Sequence, residues 1–553
     1  MQKFGGAIKT VLSVAIAIIL VVLSVQSFLF TTAKYGNGYD FMPLVFDNFV
    51  MEILGQIVIL VLIYVVLKRT KGVSTRRVMS SEVFVNEDEQ KPHKLMFYKM
   101  FNRFKPLITF QNVALFIIFL QALFYIALVG HMVVYDAADI YNAARSDASI
   151  AFNGYFNRQQ HQIGMYVYEK LIFLLSFGNE WLADAIFVLI NALAPTIGFY
   201  NMFRTSRLIF KEPLVTRILI CLSVLALPVI AQSWTLYGLT FMFPIFATAF
   251  YLATAYFVTQ NNVKLIQSAV VLGIGAILKP NAMIGVVAFV IFAIYFVTKF
   301  KKPLLVTSAV AIVICLSVFA PKLINIAFGI TGPATTPISQ LAIGTEIRPV
   351  THDKYPNFPE GYEYYIYGFY NGASYYYCED SNLHNNRDAY HKCVAENNAI
   401  QEAQFVDNLS YIANHPKEAL EFFVTKQAIQ WGAASFGVLT YPTLLCEPNS
   451  SIYSCWVDDP LRLSFVGGGL LYEIFNFFAD AHQLIIYVFA AAGAFALRRK
   501  PFINYLFPIT FLGGYLFYTI SEMKSNYAIP FFAMLLPVAA YGIYVSLRRF
   551  VRE

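Results

Sequence analysis

The chain has 553 residues, of which 58% are hydrophobic and only 13% charged, with a formal net charge of +7 and a mean hydropathy of +0.57. A soluble domain carries about 25% charged residues, so the composition excludes a water-soluble fold and places most of the apolar surface against lipid. The basic excess does not point to a nucleic-acid partner, because the Lys and Arg residues flank apolar segments, where they set membrane topology.

Hydropathy and Lys/Arg placement predict an all-α polytopic membrane protein of about twelve transmembrane helices, with a long mixed, largely helical extracytoplasmic loop. Lys3 and Lys9 precede a first span at about 10–31, which lacks a small-residue cleavage site and reads as an uncleaved anchor. The second span, about 49–67, ends at Lys68-Arg69-Thr70-Lys71. The loop that follows carries Arg76, Arg77, Lys91, Lys94, Lys99, Arg103 and Lys105 against Glu82, Glu87, Asp88 and Glu89, and is assigned to the cytoplasm. The third span, about 107–134, therefore exits on the outside at Tyr135.

The rest alternates without conflict. Spans are expected at about 182–203, 214–232, 238–258, 264–278, 282–298, 304–329, 480–497, 502–520 and 527–546. Arg204 and Arg207, Lys299 to Lys302, Arg498-Arg499-Lys500, and Arg548, Arg549 and Arg552 all fall inside, so both termini are cytoplasmic and the protein belongs to the plasma membrane. The chain divides into an N-terminal pair of transmembrane helices (1–67), a basic cytoplasmic loop (68–106), a transmembrane core (107–329) with a first outer loop (135–181), an extracytoplasmic loop domain (330–475) and C-terminal transmembrane helices (476–553).

The two outer segments differ in character. Residues 135–181 read as short helices lying along the membrane surface, and the apolar stretch at 171–177 suits a re-entrant turn. Residues 330–475 hold a Tyr-rich stretch, then a helical stretch from Ala395 to Trp431 interrupted at Asn414-His415-Pro416. Cys378, Cys393, Cys446 and Cys455 all fall in this loop, and an oxidising compartment favours disulfides there. Four cysteines allow three connectivities; the shortest loops pair Cys378 with Cys393 and Cys446 with Cys455.

Chemistry-bearing residues gather at the expected outer edge. Asp136 and Asp139 are three apart, so on a helix they share a face. They suit a general base for an acceptor hydroxyl or a carboxylate ligand for a divalent cation; the competing role for Asp136 is a helix N-cap. Arg158-Gln159-Gln160-His161-Gln162 offers a cation and amides for a phosphate or a sugar. Lys279, in Lys279-Pro280-Asn281, is a lone outer cation between two spans, against the positive-inside trend. Ser521-Glu522-Met523-Lys524-Ser525-Asn526-Tyr527 is a second polar hairpin, in which Glu522 and Lys524 either pair or face a ligand.

Taken in order, these residues carry a family resemblance. The matching elements are Asp136 through Ala144, Gln160-His161-Gln162-Ile163-Gly164, Leu278-Lys279-Pro280-Asn281, Thr336 through Gly344, His415 through Phe423 with Lys426 and Trp431, and Glu522 through Tyr527. Over about 105–546 the chain resembles the GT-C superfamily of integral membrane glycosyltransferases, related to protein O-mannosyltransferases and aminoarabinose transferases, and within it the Gram-positive bacterial branch. Two departures stand out. Gln159-Gln160 replaces the family's Tyr-Pro. The hairpin after the fifth span, Trp234-Thr235-Leu236-Tyr237-Gly238-Leu239, lacks the family's acidic residue after Tyr.

The resemblance implies an inverting hexosyltransferase that uses a polyprenyl-phosphate sugar and a glycan, teichoic acid or protein acceptor. Asp136 and Asp139 would be catalytic. Lys279, Arg158, His161, Gln162, Glu522, Lys524 and Tyr527 would bind donor phosphate and substrate. The competing class is a lipid-linked oligosaccharide flippase or transporter, which places ionisable residues near the midplane of broken helices, or a polysaccharide polymerase with arginines concentrated in its outer loop.

Overall fold

A computed structural model describes residues 2–32, 44–69, 109–129, 136–146, 149–152, 154–348, 387–439, 464 and 469–551. Long helices dominate it, and the strands are a short antiparallel ribbon, Phe30–Thr32 against Leu44–Phe46. Among the described residues, nine helices are long and apolar enough to cross a membrane, and up to eleven if each of two bent pairs is one span. The protein is thus an α-helical multi-pass membrane protein.

The helices sort by burial. The Gly238–Thr259 helix is the central one: 72% of its apolar window is buried. It packs on Glu180–Phe210 on one side and on Asn262–Leu278 on the other. Pro303–Ala327 lies at the periphery, with only 17% buried and Leu304 and Leu323 exposed. Such exposed apolar side chains are stable only against lipid. In that peripheral helix Pro321 lacks an N–H, and the ladder passes through a π-helical turn at Cys315–Phe319 just before it.

The N-terminal pair docks elsewhere. The helix Leu470–Leu497 receives Gln2–Leu29, Phe49–Arg69 and the C-terminal helix Leu536–Val551, while the first two helices touch each other little. Polar ties fix the first helix: Ser13 and Tyr505 share a 2.7 Å hydrogen bond, Ser27 donates to Gln483 at 3.0 Å, and Lys9 Nζ donates to the Lys500 carbonyl at 3.1 Å. That last contact brings two basic clusters to one end of the bundle.

Several element bounds differ from the sequence expectation. Residues 470–479 join the tenth span, whose helix starts at Leu470 rather than near 480. Residues 171–175 finish the Ile163–Leu175 helix. The fifth and twelfth spans are bent, by 60° and 53°. Proline explains both breaks, since Pro228 and Pro537 follow them directly, each the second residue of the helix that resumes after the bend.

The outer-loop helix is broken where expected, into Arg387–Asn414 and Pro416–Gly432. Arg348 locks the preceding Pro337–Thr345 segment to it. Its guanidinium donates to Glu346 at 2.6 Å, Asp407 at 2.6 Å and Asn408 at 2.7 Å. Cys393 is disulfide-bonded, and Cys221 and Cys315 are free thiols. Cys378, Cys446 and Cys455 lie outside the described residues, as does the basic loop at 70–108.

Candidate active site

The helix Asp136–Arg145 opens on Asp136, which is half-buried, while Asp139 one turn later is exposed. Its Ala137, Ile140, Ala143 and Ala144 face is buried against the protein. Apolar spacing of three and four orients the helix and turns Asp136 inward. The carboxylate of Asp136 accepts a hydrogen bond from the Tyr237 hydroxyl at 3.2 Å.

Tyr237 is the node of the site. Its oxygen also accepts from Lys279 Nζ at 2.7 Å and from Gln162 Nε2 at 2.6 Å. One phenol therefore joins the carboxylate, the cation and an amide drawn from three separate segments. Burial pushes the phenol well above its ordinary pKa, with Asp136 adding to the shift, so it stays a hydroxyl.

Lys279 is 4% exposed and caps the end of the Asn262–Leu278 helix in an extended conformation. Its amine lies 4.0 Å from the Tyr237 ring centre and 5.5 Å from that of Tyr527, distances at which a ring face attracts a cation. Burial lowers its pKa to about 8, against the attraction of Asp136. His161 is held lower still, at about 4, by burial and then by Lys279, so it is neutral at pH 7.

Two glycines make this convergence sterically feasible. A Cβ on Gly164 would stand 1.9 Å from the Ile277 carbonyl oxygen, and one on Gly238 would stand 2.8 Å from the Leu278 oxygen and 2.9 Å from Lys279 Cβ. Neither fits, so glycine alone lets the Gln162 and Tyr237 segments close on the end of the Asn262–Leu278 helix.

The hairpin 521–527 closes the other side. Lys524 and Glu522 pair at 3.3 Å, both largely covered, and Lys524 lies 5.7 Å from the Tyr527 ring. The Pro416–Gly432 helix holds the hairpin in place. Lys426 Nζ donates to the Gly344 and Ser521 carbonyls at 2.6 Å each, Gln430 donates to the Lys524 carbonyl, and Ser525 donates to the Ile429 carbonyl at 3.3 Å. Nearby, Asn281 donates to the Tyr518 hydroxyl.

Lys426 sets a pH dependence. Burial lowers its pKa to about 7, and Glu522 only partly offsets this. Between about pH 7 and the ordinary lysine range the unfolded chain binds the extra proton, so Lys426 makes stability rise with pH there. Lys426→Met leaves two buried carbonyls unpaired, a loss of about 1–3 kcal/mol each. Melting midpoints in detergent should show the variant less stable at pH 9.5, with the gap narrowing as pH falls towards about 7 and levelling off below it. A gap constant from pH 6 to 9.5 contradicts this role.

The structure thus gathers Asp136, Gln162, His161, Lys279, Glu522, Lys524 and Tyr527 at one end of the bundle. Arg158 belongs to the short helix Gly154–Arg158, and its side chain lies outside the described residues. Asp139 stays on the exposed side of its helix. Tyr237, Lys426 and Gln430 are central here, yet sequence reasoning gave none of them a role in the site. The available signal for Tyr237 was a Tyr-Gly step at the mouth of an apolar helix. Among the described residues, no group of three or more His, Cys, Asp and Glu side chains is placed to hold a metal ion.

The chain matches no protein-family model, and no curated protein sequence is significantly similar to it.

Proposed function

We propose that the protein is a membrane glycosyltransferase that moves a monosaccharide from a polyprenyl-phosphate donor to a cell-envelope glycan, teichoic acid or protein. The observation that carries this reading is the Asp136–Tyr237–Lys279 arrangement, a carboxylate and a cation held one phenol oxygen apart. Inverting displacement needs these two charges near opposite ends of the bond change. The acceptor oxygen attacks the anomeric carbon, and Asp136 takes its proton. The bond from the anomeric carbon to the phosphate oxygen breaks, and Lys279 stabilises the charge that develops on the departing polyprenyl phosphate. Glu522, Lys524 and Tyr527 complete the donor side, with Arg158 as a further phosphate ligand. Resting neutral, His161 serves with Gln162 as a polar contact for sugar hydroxyls.

This reading uses the sidedness assigned from the basic clusters. The two bent pairs count as single spans, and the 17-residue apolar helix Asn262–Leu278 is added to the eleven. That gives twelve spans in the plasma membrane, with both termini cytoplasmic and the site outside. A lipid-linked donor suits that face, where nucleotide sugars are absent. A reporter fused after Arg499 should be cytoplasmic, and one placed near Asn385 should be outside. Cytoplasmic labelling at Asn385 puts the site on the wrong side.

Activity itself is tested with purified protein in detergent, a polyprenyl-phosphate hexose and envelope acceptors, with products read by mass spectrometry. Sugar transfer with inverted anomeric configuration supports the proposal. Movement of intact lipid-linked sugar across a vesicle, with no new glycosidic bond, favours a flippase instead.

A further inference from the structure

A second polar cluster lies away from Lys279, where the N-terminal pair meets the rest of the protein. A cavity of about 290 Å³ opens between the start of the Phe49–Arg69 helix, the start of Leu470–Leu497 and residues 434–435. Four carboxylates line it: Asp47, Glu52, Glu473 and Asp480. Asn476 and Ser435 add an amide and a hydroxyl, and no Lys, Arg or His is among its described lining residues.

Acidic residues alone do not make a site. Glu52 supplies an independent observation. It is 3% exposed, and neither carboxylate oxygen has a hydrogen-bond partner among the described residues. A buried carboxylate without a partner is costly, and this one lines an open chamber. The cost is removed when a cation occupies the space. Burial also raises the pKa of Asp47 at the chamber's edge.

The kind of cation follows from the shape. The carboxylates are spread over two helices and the link before the first of them, and no three acidic side chains among the described residues converge closely enough to hold a metal ion. The cavity is also many times larger than one dehydrated ion. Its acceptors suit a primary ammonium, whose three N–H donors can point to separate carboxylates. Asn476 and Ser435 can meet hydroxyls on the same small body.

We infer that the first two spans complete a chamber that binds a primary ammonium group, carried either on a lipid headgroup or on a free amino alcohol. This gives the N-terminal pair a role that the transfer chemistry at Asp136 does not assign it. No transferase activity enters its test, so the two proposals fail separately.

The full-length protein in detergent is titrated with ethanolamine by calorimetry. In a second arm, native mass spectrometry compares retention of phosphatidylethanolamine and phosphatidylglycerol. Glu52→Gln and Asp480→Asn are measured beside the parent. Glu52→Gln replaces an unpartnered buried carboxyl with an amide of the same shape, so its melting midpoint should be retained or raised, which separates lost binding from lost folding. We expect at least one amine probe to bind, with affinity reduced at least tenfold in each variant. Binding of ethanolamine identifies a free amine as the source, and selective retention of phosphatidylethanolamine identifies the headgroup. Absence of amine binding in both arms, binding unchanged in the variants, or binding of calcium alone overturns the assignment.

Discussion

Asp136→Asn should abolish transfer while leaving expression and donor binding close to the parent. The amide keeps the shape of the carboxylate and still accepts the 3.2 Å hydrogen bond from Tyr237, but it does not take up the acceptor's proton. Losing a general base costs roughly 10²–10⁴-fold in rate. Single-turnover transfer from a polyprenyl-phosphate sugar reads this directly. Asp139→Asn is the internal control, since Asp139 is exposed on the same helix. If Asp139→Asn is dead and Asp136→Asn turns over normally, the base is one helical turn away. If both keep parental rates, the glycosyltransferase mechanism must be abandoned.

Lys279→Ala should slow transfer by roughly 30- to 1,000-fold, the equivalent of about 2–4 kcal/mol for one preorganised charge contact. Both donor binding and the leaving-group step should suffer, because the same amine meets the phosphate before and after bond cleavage. Removing it also strips Tyr237 of its 2.7 Å donor. The protonated form does the work, and its pKa is lowered by burial to about 8. Activity limited by this group therefore falls as pH rises through about 8. Lys279→Arg should restore part of the rate and move that descending limb upward, since a guanidinium stays charged. A limb that stays in place in Lys279→Arg assigns it to another group.

The transmembrane frame was legible in the sequence because lipid imposes a simple rule: an apolar run must be long enough and free of charge. Each expected span has a helical counterpart, including the short apolar Asn262–Leu278. Bends were less legible, because Pro228 and Pro537 redirect helices by angles that tertiary packing decides. The site was partly legible. Asp136 and Lys279 stood out because charge is expensive at an apolar helix end. Tyr237 did not, because an aromatic ring beside a membrane helix is ordinary until its hydroxyl is seen to join three segments. Lys426 was hidden for a similar reason: its partners are backbone carbonyls more than eighty residues away in the chain. The carboxylates of the second chamber were also missed, since Glu52 and Asp480 belong to helices far apart in sequence.

The docking of the first two helices has a consequence for biosynthesis. Both pack chiefly on Leu470–Leu497 and little on each other. Some 400 residues separate Arg69 from Leu470, and translation proceeds at about 5–20 residues per second, so the pair waits roughly 20–80 s for its partner. During that interval Glu52 has no chamber to sit in, and the exposed faces of both helices are open to lipid or to an assembly factor. A ribosome stalled before Leu470 would strand them in that state, which makes the stretch from Leu470 onward decisive for whether the first two spans ever become part of the fold.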